Sequence, residues 1–224
     1  MSESYTFTVN GVSRTTHKEE PLLRYLRDEL RLTSVKDGCS EGACGTCTIL
    51  VDGRAVRACI LTTKKAAGKS ILTVEGLSPE EQEAFVYAFG AVGAVQCGFC
   101  IPGMVLSGKA LLDVNPNPTE AEIKKAIRGN VCRCTGYKKI IEGIALAGAI
   151  LRGEQHIDPT LEEGAAFGVG DRAFRADVRG KVLGTGEYCD DLYLDVMVHA
   201  SAVRSQYPRA RLLNIDASEA LALQ

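Results

Sequence analysis

One short segment organises this chain, and it reads Lys36-Asp37-Gly38-Cys39-Ser40-Glu41-Gly42-Ala43-Cys44-Gly45-Thr46-Cys47. Its three cysteines fall within nine residues, and the small residues between them let the backbone curl and point amide N–H groups at anionic sulfur. Outward along the chain follow the other grouped cysteines, Cys59, Cys97, Cys100, Cys132 and Cys134. Eight of the nine cysteines thus form two sets of four, and four thiolates are what one iron–sulfur cluster needs.

The spacing within each set favours iron over other uses of cysteine. The first set opens as Cys-x4-Cys-x2-Cys, the spacing of plant-type [2Fe–2S] ferredoxins, with Cys59 as a separated fourth ligand. Disulfides are disfavoured, because residues 1–20 hold no apolar stretch of signal-peptide length and the chain is expected in the reducing cytoplasm. Two four-thiolate zinc sites are the more serious alternative. Zinc sites commonly draw on two short pairs of ligands, whereas the first set places three cysteines within nine residues, so iron is favoured.

Composition is typical of a soluble carrier and argues against a nucleic-acid binder. The 26 Lys and Arg nearly balance the 28 Asp and Glu, and no basic patch is evident. No apolar run is long enough to span a bilayer, so no membrane association is expected. With 224 residues, 46% of them hydrophobic, the chain can form one large or two small domains.

The first 76 residues or so predict strands with one helix. Asn10-Gly11 and Asp52-Gly53 are strong hairpin signals between alternating segments. Pro21 begins an amphipathic helix that carries Leu22, Leu23, Leu26 and Leu30. The predicted strands are Tyr5–Val9, Val12–Thr16, Thr48–Val51, Ala55–Leu61 and Ile71–Val74.

The next segment predicts four helices joined by short loops, which favours a small bundle. Capping boxes at Ser78 and Thr119 begin the first and third helices, and Gly129-Asn130 ends the third. The second runs from Pro102 to Leu112 and the fourth from about Tyr137 to Leu151. The four cysteines of the second set are therefore expected at helix ends.

Three segments resemble the iron–sulfur signatures of the molybdenum hydroxylases, the xanthine dehydrogenase and aldehyde oxidoreductase family. They are the segment quoted above, Gln96-Cys97-Gly98-Phe99-Cys100-Ile101-Pro102-Gly103 and Cys132-Arg133-Cys134-Thr135-Gly136-Tyr137. The resemblance implies an α+β fold, with a β-grasp [2Fe–2S] ferredoxin domain over residues 1–76 and an all-α four-helix [2Fe–2S] bundle over residues 77–154. It also implies that both clusters relay electrons from a molybdopterin-bound molybdenum to a flavin or another acceptor.

A third piece follows an expected linker over residues 155–176. The segments 177–188 and 199–205 resemble the opening of the family's molybdenum-binding subunit, so residues 177–224 are expected to be a partial α/β segment of that domain. In single-chain aldehyde oxidoreductases and a selenium-dependent xanthine dehydrogenase group, the two parts are fused in this order. The chain is thus expected to be a fragment or one piece of a split enzyme, incomplete as a catalyst.

The candidate site residues follow from these patterns. The expected metal ligands are Cys39, Cys44, Cys47, Cys59, Cys97, Cys100, Cys132 and Cys134. From the residues alone Gln96 is an ordinary polar side chain, whereas the resemblance implies that Gln96 and Cys134 face the pterin. No catalytic residue is expected, and Cys189 has no partner spacing and is expected to be a free thiol.

The resemblance implies two partners, a molybdenum-binding large subunit or downstream domain and a FAD-binding subunit or another electron acceptor. The favoured activity is hydroxylation of a purine such as xanthine, because the amino-acid sequence around Gln96 looks closest to that of the selenium-dependent group. An aldehyde oxidoreductase and a free-standing ferredoxin-type carrier are the alternatives. Residues 177–224 disfavour the carrier, since their apolar residues have too little chain to bury them.

Overall fold

The computed structural model describes residues 3–158, 168–169, 174–198 and 200–222. The chain forms a compact unit, Met1–Tyr188, and a second unit, Cys189–Gln224.

A five-stranded sheet forms the first part of the compact unit. The strands are β1 (Tyr5–Val9), β2 (Val12–Thr16), β3 (Thr48–Val51), β4 (Arg54–Arg57) and β5 (Ser70–Leu72). Their order is β2-β1-β5-β3-β4, with β1 and β5 parallel and the other pairs antiparallel. This is the predicted β-grasp arrangement, and both predicted hairpins form with positive φ at their two turn residues.

Two strand boundaries differ from prediction for a reason that bears on the cysteines. Strand β4 ends at Arg57, not Leu61, because the chain turns into a 3-10 helix at Ala58–Ile60. Strand β5 spans Ser70–Leu72 and is followed by a second such turn at Val74–Gly76, where the prediction had a strand over Ile71–Val74. The turn at Ala58–Ile60 places Cys59 beside Cys47.

Two short helices complete the sheet region, which comprises β1 to β5, α1 and α2. Helix α1 (Leu22–Arg24) widens into a π-helical turn at Tyr25–Glu29, in the place where the helix after Pro21 was predicted. Helix α2 (Thr63–Ala66) was not predicted. Leu22 and Leu26 are fully buried in this region's core, which confirms the predicted amphipathic pattern.

Four helices form the helical region, as predicted: α3 (Pro79–Ala91), α4 (Ile101–Val114), α5 (Glu120–Ile127) and α6 (Lys138–Leu151). The capping boxes at Ser78 and Thr119 are both present. Tyr137, directly before α6, takes a left-handed backbone conformation.

Strand β3 joins the two regions because both of its faces are buried. Ile49 and Val51 face the core of the sheet region, while Leu50 belongs to the core of the helical region. Helix α4 packs against this strand. A strand covered on both faces needs a continuous apolar run, and Ile49, Leu50 and Val51 supply one.

Residues 174–188, termed the strap below, form the last part of the compact unit. The strap contains helix α7 (Val178–Leu183), whose Val178 and Val182 are buried in the core of the helical region. Of the expected linker, residues 159–167 and 170–173 lie outside the described residues. The assignment of residues 177–224 to the molybdenum domain stays a prediction.

The second unit exposes its apolar side chains. It holds a 3-10 turn (Cys189–Asp191) and helix α8 (Ser218–Leu221), and no strand occurs among its described residues. The partial α/β segment predicted over residues 177–224 stays a prediction. Val196, Val198, Val203, Leu212 and Leu213 are all at least 74% exposed. His199, part of the predicted resemblance, lies outside the described residues. In the described ranges, no helix is both long and apolar enough to cross a bilayer.

Candidate iron–sulfur centres

The first centre is built by the loop between the π-helical turn and β3. Gly42 and Gly45 take positive φ, which lets the loop curl around the sulfur atoms. The backbone N–H groups of Cys44 and Glu41 point at the Cys39 sulfur from 3.4 and 3.5 Å. They lower the pKa of Cys39 to about 7, with the Cys44 N–H the largest cause. The predicted role of the small residues is thus visible in the loop geometry.

Its four thiols meet as two pairs. Cys39 interacts with Cys44, and Cys47 interacts with Cys59. Cys47 is buried, and burial raises the pKa of its thiol to about 12. A bound cation is the usual means of keeping such a buried sulfur deprotonated.

The second centre lies at helix ends, as predicted. Cys97 and Cys100 precede α4, while Cys132 and Cys134 lie between α5 and α6. The sulfur atoms of Cys97 and Cys134 are 3.6 Å apart. Cys100 interacts with Cys132, and the Thr135 hydroxyl lies 3.2 Å from the Cys132 sulfur.

The environments of these pairs differ. Cys100 is buried, and burial, followed by the neighbouring Cys132, raises the pKa of its thiol. For Cys132 burial acts in the same direction, but hydrogen bonds from Thr135 and from backbone N–H groups outweigh it and lower the pKa. Cys97 and Cys134 are exposed. The second centre therefore has one inner pair and one outer pair.

Pairing decides which metal group the thiols fit. A structural zinc site needs four ligands around a single ion. A [2Fe–2S] cluster has two irons, each of which would take two of the four cysteines, so two pairs of thiols per centre fit it.

The two centres are joined through the backbone. The N–H of Val131, the residue before Cys132, donates to the carbonyl oxygen of Cys44 at 2.8 Å. One hydrogen bond thus separates a cysteine of the first centre from the residue adjacent to a cysteine of the second.

Asn130 fixes this contact. Its buried side-chain amide donates to the Gly45 carbonyl at 2.9 Å and to the Thr48 hydroxyl at 3.0 Å, and it accepts from Ser107 at 2.8 Å. The sequence predicted Asn130 only as the end of a helix. Its tertiary role had no sequence signal, because all of its side-chain partners are at least 23 residues away.

Gln96 lies next to Cys97 in the chain, and both are exposed, as is Cys134. Cys97 and Cys134 thus form the outer edge of the second centre, and Gln96 is adjacent to this edge in the chain. The contact of Gln96 and Cys134 with a pterin stays a prediction. Cys189 is exposed in the second unit.

Two family models cover most of the compact unit. One, described as a 2Fe-2S iron-sulfur cluster binding domain, matches residues 7–73, and the other, described as a [2Fe-2S] binding domain, matches residues 73–145. Each match includes one of the two cysteine sets. The chain therefore carries two [2Fe–2S] binding domains.

Aldehyde oxidoreductase of Megalodesulfovibrio gigas is 36% identical over 230 residues, covering 96% of this chain and 25% of that protein. The nicotinate dehydrogenase small FeS subunit of Eubacterium barkeri is 46% identical over 142 residues, covering 62% of this chain and 90% of that subunit. The solved aldehyde oxidoreductase from Desulfovibrio desulfuricans ATCC 27774 matches with a TM-score of 0.75 at 38% identity, covering 84% of this chain and 22% of that one.

The chain thus spans about a quarter of the length of the aldehyde oxidoreductases it matches. The finer likeness to selenium-dependent xanthine dehydrogenase stays a prediction. Since the E. barkeri subunit is matched over nearly its whole length and both [2Fe–2S] domains are present, the chain belongs to the molybdenum hydroxylase family, as an iron–sulfur component.

Proposed function

We propose that this chain relays electrons, one at a time, from a molybdopterin-bound molybdenum in another domain or subunit to a flavin or other acceptor. The reaction served is the hydroxylation of a purine such as xanthine. The eight paired cysteines hold two [2Fe–2S] clusters, each of which supplies one-electron redox chemistry when bound. The observation that carries the proposal is the hydrogen bond between Val131 and Cys44.

This hydrogen bond gives electrons a short route between the centres. The route runs from Cys132 along one peptide to the Val131 N–H and across 2.8 Å to the Cys44 carbonyl. Asn130 and Gly45, which hold the route in place, are buried. A protein that used its two clusters independently would have no need for such a built contact.

The exposed edges suggest the direction of the relay. The outer edge of the second centre, with Gln96 and Cys134, faces the molybdenum side. At the first centre Ser40, Glu41 and Ile60 are exposed, and this surface faces the acceptor. The second unit, with its exposed apolar side chains, packs on the molybdenum-binding polypeptide, because apolar surface of this extent marks an interaction site.

The second candidate substrate is an aldehyde. The match to the M. gigas aldehyde oxidoreductase extends over 96% of this chain, whereas the match to the nicotinate dehydrogenase subunit covers 62%. The similarity therefore continues beyond the iron–sulfur domains. The free-standing carrier is not favoured, since it explains neither this continuation nor the exposed second unit.

The test uses the chain copurified with its molybdenum-binding polypeptide. Xanthine and an aldehyde are added separately under anaerobic conditions, and bleaching of the cluster absorption is followed. We expect Gln96→Ala to slow bleaching by substrate and to leave reduction by dithionite unchanged. Gln155→Ala, at another exposed glutamine, is the matched control. Bleaching by substrate in the isolated 224-residue chain would overturn the proposal, because the reaction would then lie on these residues.

A further inference from the structure

We infer that Tyr188 is a positioning residue for the second centre. It holds the segment Cys97–Cys100, termed the cluster loop, and together with Lys36 and Lys181 it places positive charge beside that loop. The charge raises the reduction potential of the second cluster. This inference deepens the proposed function and rests on it.

Tyr188 contacts the cluster loop at two points. Its hydroxyl donates to the Cys97 carbonyl oxygen at 2.7 Å. Its ring meets Phe99 edge-on, with ring centroids 5.1 Å apart and an interplanar angle of 86°. Since Cys97 and Phe99 flank Gly98, the two contacts fix the loop between its two cysteines.

Lys181 covers the same loop from the strap helix α7. A side chain at Gly98 would collide with the Lys181 stem, since a Cβ there would lie 2.6 to 2.8 Å from three of its carbons. The Lys181 ammonium lies 3.9 Å from the centroid of the Tyr188 ring, within the range of a cation–π interaction. The Tyr188 ring thus holds a positive charge close to the cluster loop.

Lys36 adds a second cation on the same ring. Lys36 is only 1% exposed. Its ammonium lies 4.7 Å from the centroid of the Tyr188 ring and 3.5 Å from the Gly186 carbonyl oxygen. Burial of a charge is costly unless it is paired, and the ring and the carbonyl offset that cost. Packing of the Tyr188 ring alone would not require two ammonium groups against it.

The sign of the effect follows from electrostatics. Reduction adds one negative charge to a cluster, and nearby positive charge stabilises that state. Potentials of iron–sulfur clusters depend on the net charge and the hydrogen bonds around them. The two lysines should therefore make the second cluster easier to reduce, which suits a centre that takes electrons from the substrate side.

The strap has other anchors, so the Tyr188 hydroxyl can be removed without undocking it. Arg179 donates to both carboxylate oxygens of Glu83, at 2.8 and 2.6 Å. The Phe174 ring stacks on Tyr87, with centroids 6.5 Å apart. Val178 and Val182 of α7 are buried in the core of the helical region.

The experiment is a potentiometric titration of the holo-chain with dithionite and redox mediators, followed by electron paramagnetic resonance. We expect Tyr188→Phe and Lys181→Met to lower the midpoint potential of the second cluster and to leave that of the first unchanged. Lys181→Arg keeps the charge and should keep the wild-type potential. Tyr207→Phe and Lys65→Met, at exposed positions, are the controls for loss of a hydroxyl and of a charge.

An unchanged second potential in both Tyr188→Phe and Lys181→Met would overturn the inference, as would equal shifts of both clusters. If Tyr188→Phe loses the second cluster, the iron content falls by half, and this result supports the holding role of Tyr188. Comparison of Lys181→Met with Lys181→Arg then decides the effect of the charge. No substrate is used in the titration. Failure of the relay in the substrate assay would therefore leave this result interpretable on its own.

Discussion

At the scale of single residues, the eight cysteines could be chosen from the sequence, because their spacing carries the signal. Their pairing could not, since it depends on the turn that brings Cys59 to Cys47 and on the helix ends that bring Cys134 to Cys97. Lys36 and Tyr188 carried no signal either, as they meet only through tertiary contact across 152 positions of the sequence.

Loss of one thiol should affect only its own centre. We expect wild-type protein to hold four iron and four sulfide per chain, and Cys59→Ser to hold about half of each, because each set of four serves one cluster. Iron and sulfide analysis with visible absorption measures this. Cys189→Ser, in the second unit, is the control and should lose neither cluster. Two zinc ions per chain with no visible absorption would contradict the assignment.

Gly45 should tolerate a side chain far less well than Gly53 does. Both have positive φ, at 70° and 78°, but a Cβ at Gly45 would collide with the Gly129 carbonyl oxygen while Gly53 faces open space. We expect Gly53→Ala to cost roughly 1–2 kcal/mol from backbone strain alone. Gly45→Ala should cost more and should slow electron exchange between the clusters, since it pushes the two loops apart.

Urea unfolding of the two holo-variants compares their stabilities, and freeze-quenched spectra after partial reduction report the exchange between clusters. Equal destabilisation of the two variants would show that the close approach of Gly45 to Gly129 adds nothing to stability.

At the scale of elements, helices α3 and α5 and both hairpins were predictable because their capping boxes and turn dipeptides are local. The end of β4 at Arg57 was not, because the apolar run continues to Leu61 while the backbone must turn at Cys59. The docking of α7 was also missed. Val178 and Val182 have helical spacing, but six residues give too short a pattern to indicate which surface they cover.

The contact between α3 and α4 should weaken in acid. Lys109 on α4 lies 2.7 Å from Glu81 on α3, and both side chains are largely buried. Burial raises the pKa of Glu81, but Lys109 and the Ser78 N–H outweigh it and hold the pKa below its usual value of 4.5. A carboxyl with a depressed folded-state pKa stabilises the fold above its unfolded pKa. That stabilisation is lost as the pH falls through the folded value.

Glu81→Gln should therefore destabilise the chain by about 1.5–3 kcal/mol at neutral pH, the range for a hydrogen bond to a charged group. The difference from wild type should shrink as the pH falls below 4.5. Urea unfolding followed by circular dichroism measures both. Glu120→Gln, in the exposed pair with Lys124, should cost much less at either pH. A difference that does not depend on pH would assign the effect to packing.

At the scale of the whole molecule, the sequence predicted the parts better than their arrangement. Two iron–sulfur regions were expected, each with its own core, yet Leu50 of the sheet region belongs to the core of the helical region. The strap contacts both regions, through Gly184 against Ser34 and through Arg179 with Glu83. Such contacts depend on shape complementarity between distant segments, and a single sequence does not display that.

Two truncations separate the role of the strap from that of the second unit. A chain ending at residue 188 keeps the whole compact unit, so we expect it to retain both clusters and wild-type cluster potentials. A chain ending at residue 176 loses Val178 and Val182 from the core and Tyr188 from the cluster loop. It should bind its second cluster less firmly and release that iron first when a chelator is added.

The chain ending at residue 188 should also lose most of its affinity for the molybdenum-binding polypeptide. Residues 189–222 expose apolar side chains that need a partner, and a tethered contact raises the effective concentration of any second contact made by the compact unit. Copurification followed by dilution measures this, with the full chain expected to stay bound and the truncated chain to dissociate. Equal retention of the two chains would place the interface on the compact unit, and the exposed apolar residues of the second unit would then need another explanation.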